Sequence, residues 1–264
     1  MNYVGTLLNS FGTLSNNGTL LNTYRTLTNN GTLVSTGSIV AGYECAIGYD
    51  CPTIGPGIIS DVGSIINNGT LISTGTLTMK VSGPFSVLGG TVDATTINSN
   101  GTFNFTGGTL NVDTFNGDLA NTGGTLGPGH SPGTTTINGD YSQDASSTLL
   151  IEIEGLIAGT EYDVLNVTGT ATLDGVLDFD LDYSGLVLGD SFDILSAEVI
   201  NGTFASITDQ QINTNWIWEL DYNLDPSGTD ILTARVTAVP IPEPTTLLLA
   251  LLALVAAPLR VRCG

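Results

Sequence analysis

Basic residues are scarce in this chain. Its 264 residues include five lysines and arginines, 25 aspartates and glutamates, and one histidine. The net charge of −20 repels nucleic-acid phosphates and anionic lipids, which argues against a nucleic-acid partner. The same acidity suits a soluble surface, divalent cations or a polysaccharide environment, and charge alone does not choose among these.

Cysteine is scarce as well. Cys45 and Cys51 lie six positions apart, and Cys263 is the penultimate residue. One pair of thiols supplies too few ligands for a structural zinc ion, so we expect no metal site from the cysteines. The pair is compatible with a Cys45–Cys51 disulfide outside the cytoplasm and equally with two free thiols in a loop.

Charged runs of the kind that form helices are nearly absent, whereas 34 glycines are present. Short groups of Leu, Ile, Val, Thr and Phe stand between Gly and Asn residues. This pattern is typical of many short strands joined by tight turns, and the aliphatic content argues against disorder. The composition therefore predicts an all-β fold.

A six- or seven-residue unit recurs in the first part of the chain, each copy starting with Gly-Thr or Gly-Ser and an aliphatic residue. Copies begin at Gly5, Gly12, Gly18, Gly31, Gly37, Gly63, Gly69 and Gly75. The frequent Asn-Gly pair accepts the positive φ of a turn, and the following Thr-Leu pair places one side chain out and one in. Three units make about 19 residues, as from Gly12 to Gly31. This predicts a right-handed parallel β-helix, a solenoid of three short strands per coil.

Asn-Gly is also the strongest short signal for a β-hairpin, so a series of hairpins is the alternative. We favour the solenoid because every copy of the unit has the same order of turn and strand residues, and because the copies carry almost no charge pairs of the kind that form between antiparallel strands. Stacked coils would align Leu, Ile and Val inside, with Asn and Thr in ladders at the corners and faces.

The sequence divides into three regions. Residues 1–133 carry the repeat, interrupted by a predicted loop at 41–62. Residues 134–239 have longer and more acidic strands, and in 175–185 apolar residues alternate with aspartates, which indicates one buried and one solvated face. We expect this region to continue the β-helix with antiparallel capping strands, and a separate sandwich-like domain is the alternative. Residues 240–264 form a distinct tail.

Three stretches of the chain, residues 123–155, 162–181 and 189–204, resemble the passenger regions of autotransporter-like proteins. The first contains GGTLGPGHSPGTTTINGDYSQD, and the third reads GDSFDILSAEVINGTF. Such passengers are β-helical and extracellular. The resemblance therefore implies a β-helix outside the cytoplasm.

The tail has a tripartite order. Pro242-Glu243-Pro244 is followed by Thr-Thr, an apolar run, and then Arg260 and Arg262. This order resembles the PEP-CTERM sorting signal of Gram-negative bacteria that make exopolysaccharide. The resemblance implies transient recognition by an exosortase, a membrane cysteine peptidase-transferase, with cleavage near Pro242–Pro244.

The tail also has the physical character of a membrane segment. Residues 245–259 would span roughly 22 Å as a helix, against about 30 Å of hydrocarbon, which suits a transient stop. The residues expected in the membrane segment are Leu247, Leu248, Leu249, Leu251, Leu252, Leu254 and Val255. The basic end, 260–262, would stay in the cytoplasm by the positive-inside rule, leaving everything before Pro242 outside. A buried carboxy-terminal core helix is the alternative.

Candidate ligand and catalytic residues outside the tail are few. His130 and Ser131 are adjacent in GPGHSPG, where a turn is a better explanation than a catalytic pair, because neighbours on a turn seldom face each other. Trp216 and Trp218 share one face of a strand and could stack on sugars, although core packing explains them better. Calcium is a further possibility through clustered acids, namely Asp174, Asp178, Asp180, Asp182, Asp190, Asp193, Asp225 and Asp230.

A β-helix also suits polysaccharide lyases and hydrolases, which need clustered acids and bases on one face. Before residue 92 the acids Glu44, Asp50 and Asp61 all fall in the predicted loop, and the bases Arg25 and Lys80 are isolated. We therefore expect no enzyme and no cofactor.

The sequence predicts an exported structural or adhesive protein of the cell surface or extracellular matrix, with exopolysaccharide or envelope matrix as partner. Until processing, its tail would anchor it in the inner membrane. A β-helix carbohydrate-active enzyme and a calcium-dependent matrix binder are the alternatives. Residues 1–14 have no basic region before a continuous apolar run, so we expect an export signal to lie upstream.

Overall fold

The computed structural model describes residues 2–4, 7–9, 13–16, 19–23, 26–35, 38–41, 57–60, 64–79, 84–99, 102–209, 212, 215–225 and 228–238. Throughout these residues the chain forms strands, turns and short connections, and no helix occurs among them. The prediction of an all-β fold is confirmed for this part of the chain.

The strands are short and follow one another closely. In the first part they are β1 (Asn2–Val4), β2 (Leu7–Asn9), β3 (Thr13–Asn16), β4 (Thr19–Thr23), β5 (Thr26–Asn29), β6 (Thr32–Ser35), β7 (Ser38–Ala41), β8 (Gly57–Ser60), β9 (Ser64–Asn67), β10 (Thr70–Met79), β11 (Phe85–Val87), β12 (Thr91–Ser99), β13 (Phe103–Phe105) and β14 (Thr109–Asn116). In the second part they are β15 (Leu119–Asn121), β16 (Thr125–Pro128), β17 (Thr134–Asn138), β18 (Tyr141–Gln143), β19 (Thr148–Ile153), β20 (Val164–Val167), β21 (Thr170–Leu173), β22 (Val176–Leu181), β23 (Ser191–Ala197), β24 (Val199–Gly202), β25 (Ser206–Asp209), β26 (Trp216–Asn223) and β27 (Asp230–Ala238).

The coils of the chain contribute strands, or halves of longer strands, to three faces, and the strands of successive coils stack on one another. Face 1 consists of β3, β6, the first halves of β10, β12 and β14, and then β16, β19, β22 and β25. Face 2 consists of β1, β4, β7, β8, the second halves of β10, β12 and β14, and then β17, β20 and β23. Face 3 consists of β2, β5, β9, β11, β13, β15, β18, β21 and β24. All these pairings are parallel, so the hairpin alternative is wrong for strands β1–β25.

The register matches the predicted coil length at the start and then departs from it. Thr13 pairs with Thr32, and Thr19 pairs with Ser38, each nineteen positions later. Further along, Thr134 pairs with Val164, thirty positions later. The later coils are longer because loops at 129–133, 154–163 and 182–190 are inserted at one corner, between face 1 and face 2.

The predicted loop 41–62 contains a strand. β8 lies at its carboxy-terminal end and pairs in parallel with β7 and with β10. This pairing places the backbone of Ile58 in register with that of Ile39 and Leu77, so β8 belongs to face 2. Within the predicted loop, residues Gly57–Ser60 therefore form a strand.

Aliphatic side chains stack in columns inside the coils. On face 1, Leu71, Val92, Leu110, Leu126, Leu149 and Leu177 pair in sequence from strand to strand, and all are fully buried. Burying each such side chain stabilises the fold by about 1.5–3 kcal/mol. The column ends at Ile207 of β25, which pairs with Leu177 and is 38% exposed.

Asparagine side chains form the predicted ladder at the corner between face 3 and face 1. Asn29 donates its amide to Asn67 Oδ1 at 2.9 Å, and both side chains are fully buried. Asn67 in turn donates to the carbonyls of Gly69 at 2.7 Å and Thr91 at 3.1 Å. Each amide therefore satisfies backbone groups that the turn would otherwise leave unpaired.

The last two strands depart from the parallel pattern. β26 and β27 pair with each other in antiparallel fashion, and β27 also pairs antiparallel with β23. Trp218 of β26 is buried and stacks on Phe179 with ring centroids 4.4 Å apart. The hairpin thereby covers aromatic side chains at the carboxy-terminal end of the stacked coils.

Candidate functional site

The predicted sorting and membrane residues fall in the tail that follows Ala238. Pro242–Pro244, the apolar run 245–259 and the arginines at 260 and 262 lie outside the described residues, as do Cys45 and Cys51. The sorting signal and the disulfide therefore stay predictions. In the part of the chain that is described, no helix is long and apolar enough to cross a membrane.

The structure brings together a cluster of polar side chains that we call the His130 corner, at the junction of faces 1 and 2. It consists of Asp93, Asp113, His130, Ser131 and Glu152. His130 Nδ1 lies 2.8 Å from Asp113 Oδ1, and its Nε2 lies 2.6 Å from Asp93 Oδ1. The imidazole ring thus joins carboxylates from two earlier coils.

Electrostatics at this corner favour the charged imidazolium. Partial burial of the ring lowers the pKa of His130, but the hydrogen bond to Asp113 and the negative charges of Asp93 and Asp113 outweigh that effect. The pKa of His130 therefore lies above its ordinary value of 6.5. A protonated ring donates from both nitrogens, which fits two carboxylate partners.

Ser131 does not pair with its neighbour His130. Its hydroxyl donates to Glu152 Oε1 at 2.7 Å, while both ring nitrogens of His130 face aspartates. A serine nucleophile needs a base that accepts its hydroxyl proton, and the geometry supplies no such contact between these two residues. The prediction that this segment forms a turn is confirmed, because residues 129–132 form a bend in which Gly129 has a φ of 64°.

Asp163 lies buried beneath the same corner. Its carboxylate accepts the backbone N–H of Gly133 at 2.6 Å and that of Glu152 at 2.9 Å. Burial raises the pKa of Asp163 to about 7, although the two backbone hydrogen bonds act in the opposite direction. The side chain therefore links the turn after β16 to strand β19 and is poised to titrate near neutral pH.

Sequence reasoning missed the partners of His130 because they are distant in the chain. Asp93 precedes His130 by 37 positions and Asp113 by 17. The available signal was the coil period: Asp93 pairs with Asn111, eighteen positions later, which brings Asp113 close to the same corner. The same period does not lead to His130, because coil lengths change between Asp113 and His130.

The aspartates considered as calcium ligands are spread over several strands and loops, and all but Asp230 are at least partly exposed. Asp178 accepts a hydrogen bond from Thr208, and Asp193 accepts one from Thr233 at 2.6 Å. Asp230 is buried and accepts the backbone N–H groups of Ile200 and Asp225, each at 2.7 Å. Among the described residues, no group of three His, Cys, Asp or Glu side chains is arranged to hold a metal ion.

The two tryptophans differ in their surroundings. Trp218 is 7% exposed and contacts the rings of Phe179 and Phe192, so the prediction of core packing is confirmed for it. Trp216 is half-buried, and with Ile207 and Ile217 it lines a shallow depression near the end of the coils.

Two loops carry exposed apolar pairs at the corner between faces 1 and 2. We call these four residues the apolar corner: Leu156, Ile157, Val187 and Leu188, with exposed fractions of 51%, 60%, 56% and 51%. Each loop is held by a carboxylate, since Glu161 accepts the N–H groups of both Leu156 and Ile157, and Asp190 accepts that of Val187. In the sequence, these residues could have been recognised as adjacent apolar residues within two short segments that begin and end with glycine, 155–159 and 185–189.

The chain matches no protein-family model, and a search among curated proteins finds no match. The described residues can therefore be classified by their architecture alone. They form an all-β chain of mostly parallel, stacked strands.

Proposed function

We propose that this chain is an exported structural or adhesive protein of the cell surface or extracellular matrix, processed by an exosortase-type enzyme at its tail. The observation that carries the proposal is the order of Pro242–Pro244, an apolar run and two arginines. Before processing, the apolar run would hold the protein in the inner membrane with residue 260 onward in the cytoplasm.

The body of the protein supports this role through its shape and charge. A right-handed β-helix, closed at its carboxy-terminal end by the β26–β27 hairpin, presents long regular faces suited to repeated weak contacts with a matrix. Its net charge of −20 keeps it soluble outside the cell and away from anionic lipid. Exopolysaccharide or envelope matrix is the partner that fits these features.

The proposal is tested by expressing three full-length chains in a Gram-negative host that makes an exosortase. They are the wild type, a variant with Pro242, Glu243 and Pro244 replaced by alanine, and the matched control Pro240→Ala. We expect the wild type and the control to lose the tail and leave the inner membrane, while the triple variant stays full length in the membrane fraction. Immunoblots of the fractions and the mass of the mature chain provide the measurement. Identical size and location for all three chains would refute the proposal.

A second candidate, a carbohydrate-active enzyme, is favoured by the His130 corner, where carboxylates and an imidazole meet on the outside of the coils. Release of reducing ends from acidic and neutral polysaccharides would support it, provided that Asp113→Asn abolishes the release. No release by the wild type would eliminate this candidate.

A further inference from the structure

The described chain ends beside the apolar corner. Val236 donates its backbone N–H to the carbonyl of Asp190 at 2.9 Å, and Gly189 donates to the carbonyl of Val236 at 3.0 Å. These bonds attach the end of β27 to the loop that carries Val187 and Leu188. β27 ends two residues later, at Ala238.

The sequence after Ala238 keeps the apolar run close to this point. Residues 239–244 separate Ala238 from Thr245, and three of these six residues are prolines. Covalent geometry limits the seven residue steps from Ala238 to Thr245 to a span of about 25 Å. The first residue of the proposed membrane segment therefore lies within about 25 Å of Ala238, the end of the strand that is bonded to the corner loop.

The apolar corner has the character of a surface made for an apolar environment. Its four side chains are more than half exposed and occur as two adjacent pairs on neighbouring loops. The loop backbone is already held in place: the Ile157 carbonyl accepts the N–H of Glu161 at 2.7 Å, and the Glu161 carboxylate accepts that of Leu156 at 2.9 Å. The backbone of the loop therefore loses little further conformational entropy when its apolar side chains enter an apolar environment.

We propose that the apolar corner rests in the headgroup region of the lipid bilayer while the tail is inserted, so that the protein meets the membrane at two places. This inference depends on the proposed function, because the inserted tail brings the corner to the bilayer. The partner is the lipid surface itself, and the contact orients the coils relative to the membrane before processing.

Charge selects the kind of lipid. The loops that bear the apolar corner also carry Glu161 and Asp190, and the whole chain is strongly acidic. Like charges repel, so the corner should enter zwitterionic lipid more readily than anionic lipid.

The test uses single tryptophan reporters in the full-length chain, reconstituted in phosphatidylcholine vesicles with or without brominated acyl chains. Leu188→Trp reports on the apolar corner. Leu88→Trp is the matched control, because Leu88 is 48% exposed but lies between β11 and β12, at a different corner and four coils earlier. Leu251→Trp reports on the tail, and the wild type supplies the signal of Trp216 and Trp218 for subtraction.

We expect brominated lipid to quench the Leu188→Trp reporter at least about twofold more than the Leu88→Trp reporter, as for a side chain 5–10 Å inside the interface. Quenching should weaken when phosphatidylglycerol replaces part of the lipid. Ile157→Trp provides a second reporter should Leu188→Trp fail to fold, as judged by circular dichroism.

Two negative results have different meanings. If the Leu251→Trp reporter is quenched while those at 157 and 188 match the control at 88, the tail is inserted but the corner faces water or a protein, and this inference is wrong. If the Leu251→Trp reporter is not quenched at all, the membrane role of the tail is wrong, and the proposed function falls with it.

Discussion

At the scale of the residue, stacking brings side chains that are far apart in sequence within hydrogen-bonding distance. His130 lies between Asp93 and Asp113 although 37 and 17 positions separate them. Asp163 reaches Gly133, thirty positions earlier, through a 2.6 Å hydrogen bond. Such contacts fasten one coil to the next, and each of them involves His130 or Asp163, whose pKa values are raised above their ordinary values.

His130 should make the stability of the protein depend on pH. Its pKa is raised in the folded state, so its stabilising contribution is complete below 6.5 and is lost as the pH rises through the folded value. The ring and its partners are partly exposed, so the effect should not exceed about 1 kcal/mol. Urea unfolding of the wild type and of His130→Gln at pH 5.5 and 8.5 measures it. An equal difference between the two proteins at both pH values would contradict the prediction.

Asp163 should act in the same direction and more strongly. Its pKa rises from 3.8 unfolded to about 7 folded, so the folded state holds the proton and loses stability as the pH rises through this range. The contribution is up to about 4 kcal/mol. We expect Asp163→Asn to have a flatter profile of unfolding free energy between pH 4 and pH 7 than the wild type. The exposed Asp180→Asn variant is the control and should keep the wild-type slope.

At the scale of the element, each coil depends on glycines where one corner stacks on the next. A Cβ atom on Gly90 would lie 2.1 Å from the carbonyl oxygen of Gly69, and Gly90 has a φ of +64°. A Cβ atom on the neighbouring Gly89 would make only an ordinary van der Waals contact, 3.9 Å from the carbonyl oxygen of Asn68. Two adjacent glycines in one turn therefore have different tolerances for a side chain.

We expect Gly90→Ala to destabilise the protein by at least about 3 kcal/mol, because it combines backbone strain with a clash against backbone atoms that cannot move aside. Gly89→Ala should change the unfolding free energy by less than about 0.5 kcal/mol. Chemical denaturation of the two variants provides the comparison. Equal effects would mean that the corner does not stack as closely as described.

At the scale of the whole molecule, most of the acidic side chains that the structure describes lie outside an apolar interior, with Asp163 and Asp230 as buried exceptions. Leu177, Phe179 and Leu181 of β22 are buried, whereas Asp180 between them and Asp182 beyond them are exposed. The net charge of −20 therefore acts mainly as repulsion between exposed groups.

Salt should stabilise the folded protein by screening this repulsion. Raising NaCl from about 0.02 M to about 0.5 M shortens the Debye length several-fold, so the midpoint of thermal unfolding should rise. Calcium chloride at matched ionic strength is the control, and it should raise the midpoint no further. A larger increase with calcium would instead indicate a specific calcium site.

The sequence by itself determined the local architecture: short strands, Asn-Gly corners, the nineteen-residue period of the first coils and the alternation in 175–185. These features depend on interactions between residues that are close in sequence. Turn propensities and the two-residue period of strands describe such interactions well. The tertiary structure alone decided which loops share a corner. The spacing between paired residues varies from sixteen positions, between Thr109 and Thr125, to thirty-eight, between Thr32 and Thr70, so the register cannot be extrapolated past each insertion. The His130 corner and the apolar corner both arise from those insertions, because unequal loops at one position stack only when the coils are assembled.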